Sequence, residues 1–324
     1  MSKILLRAGI SLFFLVLLYW MVRDDIPVIL DTLKSMNHWL GAVAAMIFLS
    51  AAGVMALRLW LIFGVKGERI SLADVFNLTF VGYFFNNFLP TSVGGDIVKA
   101  MCAARVTKNT VVSVTSVLMD RIFGLFTFIL IPSISLLFFM KSINNRWVPV
   151  IVYGLLAVSM FCFAVIFNRS LARRFRFIDH FLSRFKVGRK LREIYSGLND
   201  FKNHKRAIFF AMLLSVVGQS ISIFVLYLMA RALGSDTSII YFFLLVPVVH
   251  LVSMLPSLNG LGIREGAYTY FLAPVMGRET AFALGILWLG LLIMLSIIGG
   301  LIYLIRHDYH IQFRGAVPQT EVGA

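Results

Sequence analysis

The stretch LPTSVGGDIVKA, residues 89–100, interrupts two apolar runs, and its reading decides how the chain folds. Pro90 removes a backbone donor and disfavours helix at the residue before it. Gly94 and Gly95 allow backbone angles closed to other residues and close approach by a ligand. Asp96 then fits the N-cap of a short helix running through Lys99. A second version stands at 255–267, LPSLNGLGIREGA. There Pro256 breaks the chain, Gly260 and Gly262 loosen it, and Arg264-Glu265 opens the next helix. Unpaired backbone inside a bilayer is tolerated only where protein or a water-filled cavity surrounds it. The two breaks therefore predict a cavity, where helix N-termini offer N–H donors and a positive dipole end to a phosphate. Kinks that merely help helices pack are the plainer alternative. Two breaks in matching places, each followed by charge, argue against it.

The setting of these breaks is lipid. Of 324 residues, 60% are hydrophobic and 14% charged, with mean hydropathy +0.89; a soluble domain carries roughly 25% charge. Several stretches reach the roughly 20 apolar residues that cross a bilayer core of about 30 Å. The composition predicts an all-α polytopic membrane protein. Residues 4–22, preceded by Lys3 and including Arg7, lack a small-residue cleavage site and are followed by many more spans, so they read as a retained first helix. A net charge of +15 would suggest nucleic acid in a soluble chain. Here most of the excess stands beside apolar runs, so anionic lipid headgroups are the expected partner and nucleic acid is not. Cys102 and Cys162 make neither a disulfide framework nor a metal site, and no cofactor is expected. His250, within an apolar run, reads as a hydrogen-bonded packing residue rather than a ligand.

The expected full spans are 4–22, 38–63, 110–131, 147–167, 207–232 and 280–305, with two irregular pairs at 72–105 and 239–277. The 169–206 segment carries twelve Lys or Arg against three acids, which places it in the cytoplasm. Counting from it, the N-terminus falls inside, the acidic 23–37 loop outside, and Lys66, Arg69, Lys99, Arg105 and Lys108 inside. Both ends of 72–105 are then cytoplasmic, so this pair enters the membrane and returns to the same side. The pair at 239–277 dips in from outside, and Arg306 ends the last helix inside. Eight complete crossings satisfy the same termini. The single membrane domain, 1–324, divides into pseudo-repeat halves 1–145 and 146–310, with a polar tail at 311–324. Each half reads span, span, broken pair, span, so the second is inverted relative to the first. Interrupted segments at matching places in inverted halves point to a transport site near the midplane. A bacterial cytoplasmic membrane, with both termini on its cytoplasmic side, is the expected location; the sequence leaves room for a homodimer.

Asp120 and Arg121 lie about halfway into the run VVSVTSVLMDRIFGLFTFILI. A charge near mid-bilayer costs at least about 2.5–3.5 kcal/mol on insertion scales. Neighbours on a helix point in different directions, so each needs a partner on another element. Lys99, Asp96, Arg264 and Glu265 are the candidates, and Asp96 and Lys99 can share one helix face. Two readings compete: a structural ion network, and capture of an anionic headgroup by Arg121, Arg264 and Lys99. Asn86 and Asn87, in YFFNNFLP, either bond a headgroup or satisfy backbone freed by the break. Arg58 lies near the end of its span and is expected to snorkel. The 169–206 segment interleaves Phe, Ile and Leu with its basic residues, which predicts an amphipathic helix on anionic lipids of the cytoplasmic leaflet, with a break near Gly188.

NNFLPTSVGGDIVKA, DRIFGLF and LPSLNGLGIREGAY together resemble the lysylphosphatidylglycerol synthase transmembrane-region family, over about residues 4–305. That family includes the flippase part of the bacterial multiple peptide resistance factor. The resemblance implies movement of a lipid with a charged headgroup across the cytoplasmic membrane. Asn86, Asn87, Pro90, Gly94, Gly95, Asp96, Asp120 and Arg121 match its patterns in the first half, and Pro256, Gly260, Gly262, Arg264 and Glu265 in the second. The full-length resistance factor carries a soluble aminoacyl-transferring domain after its membrane part. The short polar tail here implies a chain that does not itself make the lipid, so its cargo need not be lysylphosphatidylglycerol.

The expected function is a lipid flippase or transporter for an anionic or polyprenyl-phosphate lipid, and not an enzyme. Arg121, Arg264 and Lys99 would engage the headgroup phosphate beside Asn86, Asn87 and the glycines, while the hydrocarbon chains stay in lipid. Asp96, Asp120 and Glu265 are candidates for ion pairing or proton coupling. No G-x-x-x-x-G-K-[ST] loop is present to bind ATP. Two other classes compete. An intramembrane lipid-phosphate enzyme would want an acid/base cluster or metal ligands, and no such spacing is found. An accessory subunit of a glycosyltransferase or lipid-modifying system would dock through the basic 169–206 surface.

Overall fold

A computed structural model describes residue 23 and residues 26–88, 93–139, 147–167, 188–255 and 260–306. The expected first span, the tail, Leu89, Pro90, Pro256, and 168–187 of the basic segment lie outside the described residues. Within them the chain is all-helical, with eleven α-helices and no strand. In chain order these are α1 (Ile26–Lys34), α2 (His38–Val65), α3 (Leu72–Phe88), α4 (Gly94–Thr107), α5 (Thr110–Phe139) and α6 (Trp147–Phe167). They continue with α7 (Gly188–Asp200), α8 (Lys205–Ala232), α9 (Ile239–Val252), α10 (Ile263–Met276) and α11 (Arg278–Ile305).

Five helices, α2, α5, α6, α8 and α11, are long and apolar enough to cross a membrane. They match five of the six expected spans. The α3/α4 and α9/α10 helices are shorter, 17 residues for α3 and 14 for each of the others. At 1.5 Å per residue they reach about 26 and 21 Å, less than the roughly 30 Å of a hydrocarbon core. Two boundaries differ from expectation. Helix α5 continues past Pro132 to Phe139; proline ends helices in water, but packing within a membrane bundle can hold one inside a helix. The 23–37 loop contains α1, whose Ile29 is buried with Ala283 of α11.

Helix α2 starts where the Asn37 side chain accepts the Leu40 N–H at 3.0 Å, an N-cap that satisfies an otherwise orphan donor. It runs antiparallel to α8: the Asn37 N–H meets the Ala232 carbonyl at 2.8 Å, while Arg58 reaches Ser215. Around this central pair, packing is exchanged between the halves. Helix α3 lies against α11, and α9 lies against α5. In both pairings the chains oppose each other. Asn87 Nδ2 donates to the Leu292 carbonyl at 3.3 Å, while Phe80 sits beside Gly299. Likewise Phe128 meets His250, and Leu136 shares a cluster with Leu244. A Cβ on Gly299 would lie 2.0 Å from the Phe80 carbonyl oxygen, so this close approach requires a glycine, as membrane helix interfaces often do. The main buried cluster, with Phe48, Phe80, Tyr268 and Trp288, draws on both halves.

The described part of the basic segment departs from a purely lipid-facing helix. Helix α7 begins at Gly188, where the break is expected, but Leu198 and the following Phe201 are buried against α2, α5 and α8 residues such as Ile62, Met119 and Ala211. Lys66 Nζ lies 5.0 Å above the Phe201 ring and 3.4 Å from Asp200. The apolar face of α7 near its C-terminus thus covers protein, while Glu193 and Asp200 are exposed.

Candidate functional site

The site begins where α3 and α4 nearly touch. A Cβ on Gly95 would lie 2.1 Å from the Gly82 carbonyl oxygen and 2.6 Å from Asn86. The close approach expected at this glycine is therefore made by α3 and not by a ligand. Gly94 and Gly95 are helical, and neither has a positive φ. Asn86 Oδ1 accepts the Gly95 N–H at 2.9 Å, so Asn86 satisfies backbone freed at the start of α4. Asp96 is not the cap: α4 starts two residues earlier, and Asp96 stands in its first turn.

Five charges then join three helices. Asp96 and Lys99 share one face at 3.1 Å. Lys99 continues to Asp120 at 3.4 Å, and Asp120 to Arg58 at 2.7 Å. Arg58 Nη1 donates to Ser215 Oγ of α8 at 2.8 Å. From the other side, Arg121 approaches Asp96 Oδ2 at 3.4 Å; that oxygen accepts no hydrogen bond among the described residues. Asp120 and Arg121 thus find partners on other helices, as their diverging directions demand. Arg58 does not snorkel. It is 5% exposed, held inward because the buried Asp120 carboxylate needs a counter-charge close by.

Among the described residues, this network sets three cations against two carboxylates. They line a cavity of about 200 Å³ with Tyr83 and Asn86. A second chamber, of about 220 Å³, adjoins it through Tyr83, Asn86, Arg121 and Phe128. Its far wall comes from the second half: His250, Arg264 and Trp288. Gly260 and Gly262 adopt φ +76° and +80°, left-handed angles suited to glycine. They turn the chain so that Glu265 caps α10, accepting the Gly262 N–H at 2.7 Å, and holds Arg264 at 2.8 Å. Here neighbours in sequence do pair, because the cap brings the carboxylate back toward the guanidinium. His250 Nε2 lies 3.1 Å from the Tyr268 hydroxyl, and its ring stacks on Trp288 at 5.5 Å, the hydrogen-bonded packing role expected of it.

Both glycine-rich breaks thus contribute to one polar region, with Arg121 and Arg264 lining the same chamber. Residues 4–300 match the family described as the lysylphosphatidylglycerol synthase TM region. The chain belongs to that family. Neither a curated protein nor a solved structure matches it. Membership in the lysylphosphatidylglycerol synthase transmembrane-region family ties the chain to membrane lipids, and the charged cavity lies wholly inside the matched region. Arg58, Ser215 and Tyr83 are the members of the site that sequence reasoning missed. Arg58 carried one usable signal, an arginine in a helix otherwise without charge, but its partner lies 62 residues away. Asn87 is placed in the second chamber, where its amide also reaches Leu292.

Proposed function

We infer that this protein is a flippase-type transporter that carries a lipid with a phosphate-bearing headgroup across a bacterial cytoplasmic membrane. The observation behind this reading is the balance of charge in the cavity between the two broken pairs. A low-dielectric pocket with three cations against two carboxylates favours an incoming anion. The roles divide by burial. Arg58 and Lys99 are enclosed with Asp120 and act as scaffold. The Arg121 side chain is 27% exposed and borders both chambers, so it meets the phosphate first. Arg264, held by Glu265, receives it from the second half.

The short α3/α4 and α9/α10 pairs are re-entrant in this reading, entering from opposite faces in an inverted repeat with both termini cytoplasmic. Rocking of one half against the other exposes the cavity to each side in turn. The headgroup crosses through the polar region, and no covalent step is involved. The lipid class is tested by reconstituting the protein in liposomes with fluorescent anionic, zwitterionic or polyprenyl-phosphate lipids and measuring probe arrival in the opposite leaflet. The reading expects phosphate-bearing anionic lipids to move faster than zwitterionic ones. Equal rates for all headgroups would contradict it.

A further inference from the structure

The charged cavity has an apolar neighbour. Helices α4 and α5 leave a groove of about 290 Å³ between them. Ile97 and Met101 of α4 face Val114, Val117 and Leu118 of α5 across it. The groove is open to the side: Ile97 is 57% exposed, and Met101 and Leu118 are exposed as well. Among the described residues its charged lining consists of Asp96 and Arg121, and both also line the charged cavity. An apolar channel therefore ends on the same guanidinium that borders the headgroup chambers.

We propose that this groove holds the headgroup-proximal part of one hydrocarbon chain of an anionic lipid whose phosphate sits at Arg121; the assignment rests on headgroup binding at that residue. A free phosphate would leave the groove empty, and an apolar partner helix would bring no anion to Arg121 at its end. A lipid satisfies both at once, because its anionic head and apolar chain are joined where the cavity and the groove meet. The groove wall from Val93 to Met101 rises only about 12 Å along α4, so it covers the first part of a chain and leaves the remainder in the bilayer. It selects a lipid over a soluble phosphate without selecting chain length. It also gives the headgroup a lateral way in, since a lipid reaches Arg121 without leaving the membrane.

The test uses the full chain in nanodiscs of phosphatidylcholine with a minor share of phosphatidic acid. Photoreactive benzoylphenylalanine replaces Leu118 in the groove or, as a control, Leu213, an exposed residue of α8. Lipid adducts are identified by mass spectrometry after illumination. Phosphatidic acid should be enriched at Leu118 by about tenfold over its share, the ratio given by roughly one charge-assisted hydrogen bond. At Leu213 it should appear at its share, and Arg121→Ala should abolish the enrichment at Leu118. The same probe in place of Ile97 repeats the measurement should the first variant fail to fold. Adducts at Leu118 and Ile97 that merely follow the lipid composition would overturn the groove. If that result accompanies lipid movement that still depends on Arg121, the groove alone is wrong. If lipid movement ignores Arg121, the headgroup assignment falls and the groove with it.

Discussion

Asp120 is the residue on which the site's electrostatics turn. It stands between Arg58 and Lys99, both buried. Removing one member of a buried ion pair costs about 3–5 kcal/mol, because the partner is left uncompensated. Asp120→Ala should therefore lower the thermal unfolding midpoint in detergent more than Arg121→Ala does, since the Arg121 side chain is already partly exposed. Replacing both members tests the cause. Asp120→Leu with Arg58→Met should be less destabilising than Asp120→Leu alone; an additive loss would mean that the pair is not coupled. The need for partners at Asp120 and Arg121 was legible in the sequence, because charges inside an apolar run cannot stand alone. Which partner was not. Arg58 sits near a helix end, where snorkelling is the general rule, and only the tertiary fold brings it to α5.

At the scale of elements, glycine sets how closely helices approach. Gly95→Ala would force a methyl against the Gly82 carbonyl and Asn86, separating α4 from α3 and disturbing the N-terminal hydrogen bond that Asn86 makes. Overpacking of this kind costs about 1–3 kcal/mol, and lipid movement should fall with stability. Gly299→Ala meets the Phe80 carbonyl and should destabilise the α3–α11 contact in the same way. Gly64→Ala is the control: nothing lies within 4 Å of its added methyl, and its unfolding midpoint should be unchanged or slightly raised. The long helices were legible because composition alone carries them. The purpose of each glycine was not, since sequence cannot distinguish a left-handed turn, as at Gly260 and Gly262, from a close backbone contact, as at Gly95. The α7 contacts were hidden for a similar reason: an amphipathic face looks the same whether it covers lipid or protein.

At the scale of the whole molecule, the two Leu-Pro stretches correspond in sequence while the chemistry after them differs. Aligning Pro90 with Pro256 sets Asp120 against Ile286 and Arg121 against Leu287. The exchanged packing of α3 on α11 and α9 on α5 is the pattern an inverted repeat would give, but the charges follow no such pattern. Where α5 borders the charged cavity, α11 contributes Ile286, Leu287 and Gly290 to an apolar crevice. One chain should therefore retain one anionic lipid rather than two, which native mass spectrometry in mild detergent would count; two equivalent lipids per chain would assign a second headgroup site to the other half. The most direct measurement is the rate of anionic-lipid movement in liposomes containing Arg121→Ala, with its unfolding midpoint recorded alongside. A midpoint close to that of the unmodified chain and a rate lowered by about tenfold or more, as loss of a charge-assisted contact implies, is the predicted result. An unchanged rate in the folded variant would contradict the assignment of Arg121 to the headgroup and, with it, the transport reading of the cavity.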